Sequence, residues 1–205
     1  MSIVTLNNRA LRSATTVGTT TGLGNIIFIK KLTASSSATL SFVDGSSSVV
    51  LDNTYKEYLF TYNNIHPATD NASFTFQAST DSGSNYNTTL TTTLFQAYHS
   101  ESGSGGLGYN TSNDQGQATG FQVICQGIGN GNDECGSGYL HLFNPSSTTF
   151  VKHFMARGSN YFYQDFAEDE ISAGYFNTTS AIDAIQFKMS SGNIDAGDIC
   201  LYGIN

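Results

Sequence analysis

The sequence predicts an all-β chain: an antiparallel β-sandwich, most simply a jelly roll, preceded by an extended N-terminal arm. Three observations carry this reading. Apolar residues recur with period two over short runs and nowhere hold a helical period. Gly, Asn, Asp and Ser clusters separate those runs at short intervals. Charged residues make up only 12% of the chain and aromatics another 12%, all Phe and Tyr with no Trp, whereas long helices draw on Glu, Lys, Ala and Leu. The 205 residues suit one domain, 25–205, with an arm over 1–24, and are enough to bury a sizeable core.

In chain order, residues 1–24 are rich in Thr, Gly and Asn and hold no period; they read as an arm ordered by a neighbour. Arg9 and Arg12 are its only charges, set against a body that takes the formal net charge to −8. They are the candidate docking residues of an assembly arm. The start is neither a signal peptide nor, like the rest of the chain, long and apolar enough to span a membrane. An acidic body argues against nucleic acid as a partner.

The strands begin with Ile26–Leu32. Ala38–Val43 and Ser48–Leu51 follow, joined by an Asp44-Gly45 hairpin signal. In the next run Tyr58, Phe60 and Tyr62 share one face and Leu59 and Thr61 the other. Phe74 and Phe76 repeat the pattern, and His66-Pro67 reads as the intervening loop. Ser79, Asp81, Gly83 and Tyr86 fit a structural turn resembling the Asp-box: carboxylate accepting from turn amides, Gly supplying positive φ, aromatic folding back. Thr91–Glu101 is a strand, Ser102–Gln117 a long polar loop, Gly120–Ile128 a strand and Gly129–Gly138 a second loop.

Gly138–Gly158 reads as a hairpin turning at Asn144–Ser147, which sets Phe143 opposite Thr148 and His141 opposite Phe150. Asp165, Glu168, Asp169 and Glu170 form an acidic knot between aromatic strands, read as a solvated loop tip or short helical turn. Whether it binds a cation is not legible in the sequence. Finally Ile185, Phe187 and Met189 oppose Ala184, Gln186 and Lys188, and Ile199, Leu201 and Gly203 oppose Cys200, Tyr202 and Ile204. The connection between these two runs suggests a hairpin or neighbouring strands, with the last strand central in its sheet.

The chemistry is sparse. Cys125, Cys135 and Cys200 lack metal spacing and read as buried or free thiols, with a Cys125–Cys135 bridge as the alternative. His141 and His153 lack a third ligand for zinc. No nucleophile–base pair or placed carboxylate pair stands out, so neither catalysis nor a metal or cofactor is expected.

Four segments, Leu32–Gly45, Tyr58–Tyr86, Gly138–Arg157 and Gly174–Ile204, resemble small β-rich proteins encoded by tailed bacteriophages, particularly phages of marine bacteria. The likeness covers nearly the whole chain after about Asn25 and carries no catalytic signature. It implies a non-enzymatic virion structural protein, either tail-associated (a tail fibre) or a capsid decoration. Such a protein is assembled in the host cytoplasm beside other virion proteins and ends on the particle. A homo-oligomer, with a trimer as the working expectation, fits that setting. The alternative is a carbohydrate-binding module recognising host-surface glycans through Tyr- and Asn-rich loops.

Overall fold

The computed structural model describes residues 26–205 and, within the preceding arm, the backbone of two short strands, β1 (Thr16–Val17) and β2 (Thr20–Thr21), which pair with each other. Arg9 and Arg12 lie outside the described residues. Twelve strands follow: β3 (Ile26–Thr33), β4 (Leu40–Val43), β5 (Glu57–Pro67), β6 (Ala72–Ser79), β7 (Leu90–Ser100), β8 (Gly105–Tyr109), β9 (Gln122–Ile128), β10 (Gly136–Phe143), β11 (Lys152–Phe162), β12 (Phe166–Phe176), β13 (Ala184–Met189) and β14 (Ile194–Ile204). No helix occurs among the described residues.

Every pairing is antiparallel. The twelve strands form one continuous hydrogen-bonded sheet that folds over on itself, so that a large sheet β3-β14-β5-β10-β11-β12-β7-β8 faces a small one β9-β6-β13-β4. The two join at one corner through the pair Phe162↔Ile128. The sheets are of unequal width, in place of the two equal sheets of a simple eight-stranded jelly roll.

Period two decides which side chains meet between the sheets. From the large sheet come Tyr58, Phe60 and Tyr62 of β5, Leu140 and Leu142 of β10, and Ile199 and Leu201 of β14, all buried. From the small sheet come Phe74 and Phe76 of β6 and Ile185, Phe187 and Met189 of β13. Phe187 is the hub. It stacks on Phe74 with centroids 5.6 Å apart and planes 13° apart, and it meets Phe60 at 5.6 Å and Phe42 at 6.3 Å. Aromatic pairs of this kind add to their area burial. The last strand, β14, is an interior strand between β3 and β5, one place from the edge of its sheet rather than at its centre.

Several local expectations are corrected. Asp44-Gly45 does turn, with φ +72° at Gly45, but Ser48–Leu51 is not a strand. Its apolar residues Val49 and Leu51 plug the core instead, tied by the Gly45 N–H to the Val49 carbonyl (3.0 Å) and the Leu51 N–H to Asp44 Oδ1 (2.8 Å). The 190–193 turn does not close a hairpin; β13 pairs with β4 and β6, and β14 with β3 and β5. Crossing between sheets lets both runs bury their apolar faces against the same core. His66 belongs to β5 rather than to a loop. The β10–β11 connection spans 144–151, so His141 faces Met155, not Phe150. Asn144, at φ +45°, bends the chain away early, and its N–H donates to the Lys56 carbonyl (2.6 Å). Part of the Ser102–Gln117 loop is an edge strand, β8, whose exposed glycines hide its alternation.

The largest correction concerns the acidic knot. Asp165 alone caps the tight β11–β12 turn, at φ +64°. The others lie on β12, where Glu168 and Glu170 share the inward parity of Ser172 and Phe176 and are buried, while Asp169 points outward. Burial, then the charge of Glu168, pushes the Glu170 carboxyl up to about 8. Burial likewise raises Glu168.

Candidate functional site

The opposite parity of the large sheet builds a broad outer face that is unusually apolar. Following Cα partners across the strands, one row reads Phe28, Tyr202, Leu59, His141, Met155 and Ala173. The next reads Tyr139, Arg157, Ile171, Phe95 and Tyr109. Leu107 extends it on β8, opposite Ala97. Phe28 is 57% exposed, Met155 55%, Phe95 48% and Ile171 47%, whereas Phe154, Ala156, Leu94 and Ser172 beside the last three are almost fully buried. Large side chains scattered singly need no explanation, but a contiguous set spread over one sheet marks an interaction surface.

Aromatic contacts hold parts of the face in place without covering it. Phe28 meets Tyr202 edge-on at 5.7 Å and Phe95 meets Tyr109 at 5.5 Å. His141 tilts over Phe143 at 4.2 Å. Between β10, β11, β12 and β7 the face dips into a shallow groove of about 430 Å³, lined by Phe143, His153, Met155, Tyr175, Thr91 and Thr93.

The charges on the face are paired within it. Arg157 donates twice to Asp169, Nε at 2.8 Å and Nη2 at 2.7 Å, and that fork holds the guanidinium above its ordinary range. Lys31 Nζ lies 3.1 Å from Asp198. The Thr33 hydroxyl, with Lys31 beside it, holds the Asp198 carboxyl below the usual range. His141 Nε2 lies 2.9 Å from a Glu57 oxygen. The chain carries net charge −8, yet this surface offers no block of unpaired like charge.

Of the residues that the sequence singled out, His141, His153 and Asp169 lie on this face, and the turn and Cys125 lie elsewhere. The turn of Ser79, Asp81, Gly83 and Tyr86 leaves the end of β6. Ser79 Oγ donates to Asp81 Oδ1 (2.7 Å), the Gly83 N–H donates to Ser79 Oγ (3.0 Å), and Asn85 donates to both Asp81 oxygens through its N–H (2.9 Å) and Nδ2 (2.7 Å). Those donors, Asn85 first, hold Asp81 down at about 2. Gly83 takes φ +78° beneath the Tyr86 ring, where a Cβ would sit 2.8 Å from the Tyr86 hydroxyl. All three cysteines are free, and Cys125 is buried. His141 and His153 face Met155 and Tyr175, respectively.

The outer face went unread because period-two alternation says which residues share a side, not which side faces the core. The available signal was apolar residues on both parities of one strand, as in β5, β12 and β14, with few charges to mark the solvent side. No family model, curated protein or solved structure matches the chain.

Proposed function

We propose that this chain is a non-enzymatic structural protein that assembles with copies of itself through the outer face of the large sheet. In the setting that the phage resemblance implies, it is a virion protein, tail-associated or a capsid decoration. The observation that carries the reading is the contiguous apolar face. Eight strands at about 4.8 Å spacing and roughly 30 Å long give a footprint of about 1,000 Å², against the ~800 Å² per partner of a stable interface. A second copy is the fitting occupant. Two acidic molecules repel each other generally, but this face presents paired charges and apolar side chains, so they can meet there without stacking like charge. Face-to-face contact is isologous and gives even numbers of copies; a trimer requires the face to meet a different surface of its neighbour.

Sedimentation equilibrium of the full chain, beside a Met155→Asp/Ile171→Asp variant, tests the assembly. The reading expects an oligomer for the first and a folded monomer for the second. A wild-type chain that stays monomeric at about 100 µM, well above the micromolar Kd of a modest interface, would sink it. Immunogold labelling of gradient-purified particles tests the virion setting separately. A monomer that instead gives signal on a glycan array, lost in a Tyr175→Ala variant of the groove, points to the carbohydrate-binding alternative.

A further inference from the structure

At the corner where β9 meets β11 and β12, the interior ends in oxygen atoms that nothing satisfies. Asn160 and Glu168 are direct cross-strand partners on the inward face, and Glu170 follows two residues along β12, about 6.6 Å away by strand rise. Asn160 is 5% exposed, Glu168 4% and Glu170 1%. Asn160 Oδ1, Glu168 Oε2 and both Glu170 oxygens are buried without a hydrogen-bond partner. Leaving such atoms unmatched is costly, and four of them on three neighbouring side chains make a large deficit.

The other atoms of these groups are held firmly. Gln96 Nε2 donates to Glu168 Oε1 (2.6 Å), Asn110 Nδ2 donates to Gln96 Oε1 (2.9 Å), and Asn160 Nδ2 donates to the Gln126 carbonyl (2.9 Å). The amides therefore fix the rotamers and leave the orphan oxygens free. A cavity of about 250 Å³ opens beside Glu168, between Gln96, Gln126, Gln164 and the rings of Tyr98 and Phe162. It is roomy enough for an ion with several waters.

We propose that this corner is a calcium-binding site in which Glu168 Oε2, the Glu170 carboxylate and Asn160 Oδ1 bind the ion and cavity waters complete its shell. All the donors are hard oxygens, as calcium requires, and the ion displaces the proton of a Glu170 carboxyl so that both glutamates bind as carboxylates. No thiolate or imidazole belongs to the set, which argues against a transition metal; among the described residues no three His, Cys, Asp or Glu side chains come together, so the ion rests on two carboxylates, one amide oxygen and water. Gln96 acts behind the ligands as the group that orients Glu168. With two carboxylates only, affinity falls in the weak range, on the order of 0.1–1 mM.

The test is calcium titration of the full chain, stripped with a chelator, followed by calorimetry and thermal unfolding. Terbium luminescence excited through tyrosine gives a second readout, clean because the chain has no Trp. The expected result is one ion per chain and a melting temperature that rises by several degrees at about 10 mM calcium. Glu168→Gln and Glu170→Gln, which keep side-chain shape, should each weaken binding at least about tenfold, the loss seen when one ligand or its support is removed. Absence of any calcium or terbium response in the wild-type chain overturns the proposal. So does a Glu168→Gln/Glu170→Gln variant that folds and binds as well as the wild type.

Discussion

The β11–β12 hairpin buries charge at both ends, and the two ends solve the problem differently. At one end Lys152 is fully buried. Its Nζ donates to the carbonyls of Thr178 (3.1 Å) and Ser180 (2.5 Å), and burial lowers its pKa. At the other end Glu168 and Glu170 are as deeply buried, but three of their four oxygens have no partner. The ends cannot neutralise each other, since the strand between Lys152 and Asn160 is about 26 Å long. The comparison teaches that burial alone does not distinguish a structural charge from a site. The lysine is closed off by its own backbone; the carboxylates are held in place and left open.

Between these ends lies the aromatic core, which sets the scale. Phe187→Ala removes the ring that touches Phe42, Phe60, Phe74 and Phe76. It should cost about 3–5 kcal/mol in denaturant unfolding, the usual range for a buried Phe truncation. A cost under ~1 kcal/mol would mean that the two sheets do not share one core. Lys152→Met should cost about 2–4 kcal/mol, because it leaves two carbonyls without donors. Glu170→Leu should have the opposite sign: with calcium chelated, stability should be unchanged or should rise by about 1 kcal/mol, since an unsatisfied carboxyl is replaced by apolar volume. If Glu170→Leu destabilised the chelated protein as much as Lys152→Met does, the two ends would be equivalent and the comparison would fail.

The sequence shows one of these ends poorly and the other hardly at all. Strands β5, β13 and β14 are legible because Tyr58, Phe60, Tyr62 and the later Ile, Phe and Leu residues recur with period two. Strand β8 is not, because Gly105, Gly106 and Gly108 give no pattern to read. The acidic knot of Asp165, Glu168, Asp169 and Glu170 reads as a loop tip or short helical turn on its charge density, yet Phe166, Glu168, Glu170, Ser172 and Phe176 share one parity. Two Phe residues bracketing two Glu residues in step is a strand signal that places the carboxyls inside. Lys152 lay in the expected hairpin, but its carbonyl partners come from Thr178 and Ser180 beyond β12, a tertiary contact without a local trace. The outer face was hidden for a different reason: its residues look like core until the register shows that the core already has a full set.

The smallest expected effect comes from a charge that is not buried. Asp81 sits in an exposed turn, where Asn85, Ser79 and turn amides hold its carboxyl down at about 2 from the ordinary 3.8. Its folded-state pKa is depressed, so its contribution to stability is present above about 3.8 and is lost as pH falls toward 2. In the Asp81→Asn variant the acid limb of stability between pH 4 and pH 2 should therefore be shallower than in the wild type, with near-neutral stability only slightly reduced, as suits a solvent-screened group. Urea unfolding across that pH range reads the difference directly. Identical acid limbs in the two proteins would show that the turn's hydrogen bonds favour the ionised carboxylate no more than water does. The contrast would then sharpen further, because an exposed carboxylate held by its own turn would count for nothing beside the buried charges of the β11–β12 hairpin.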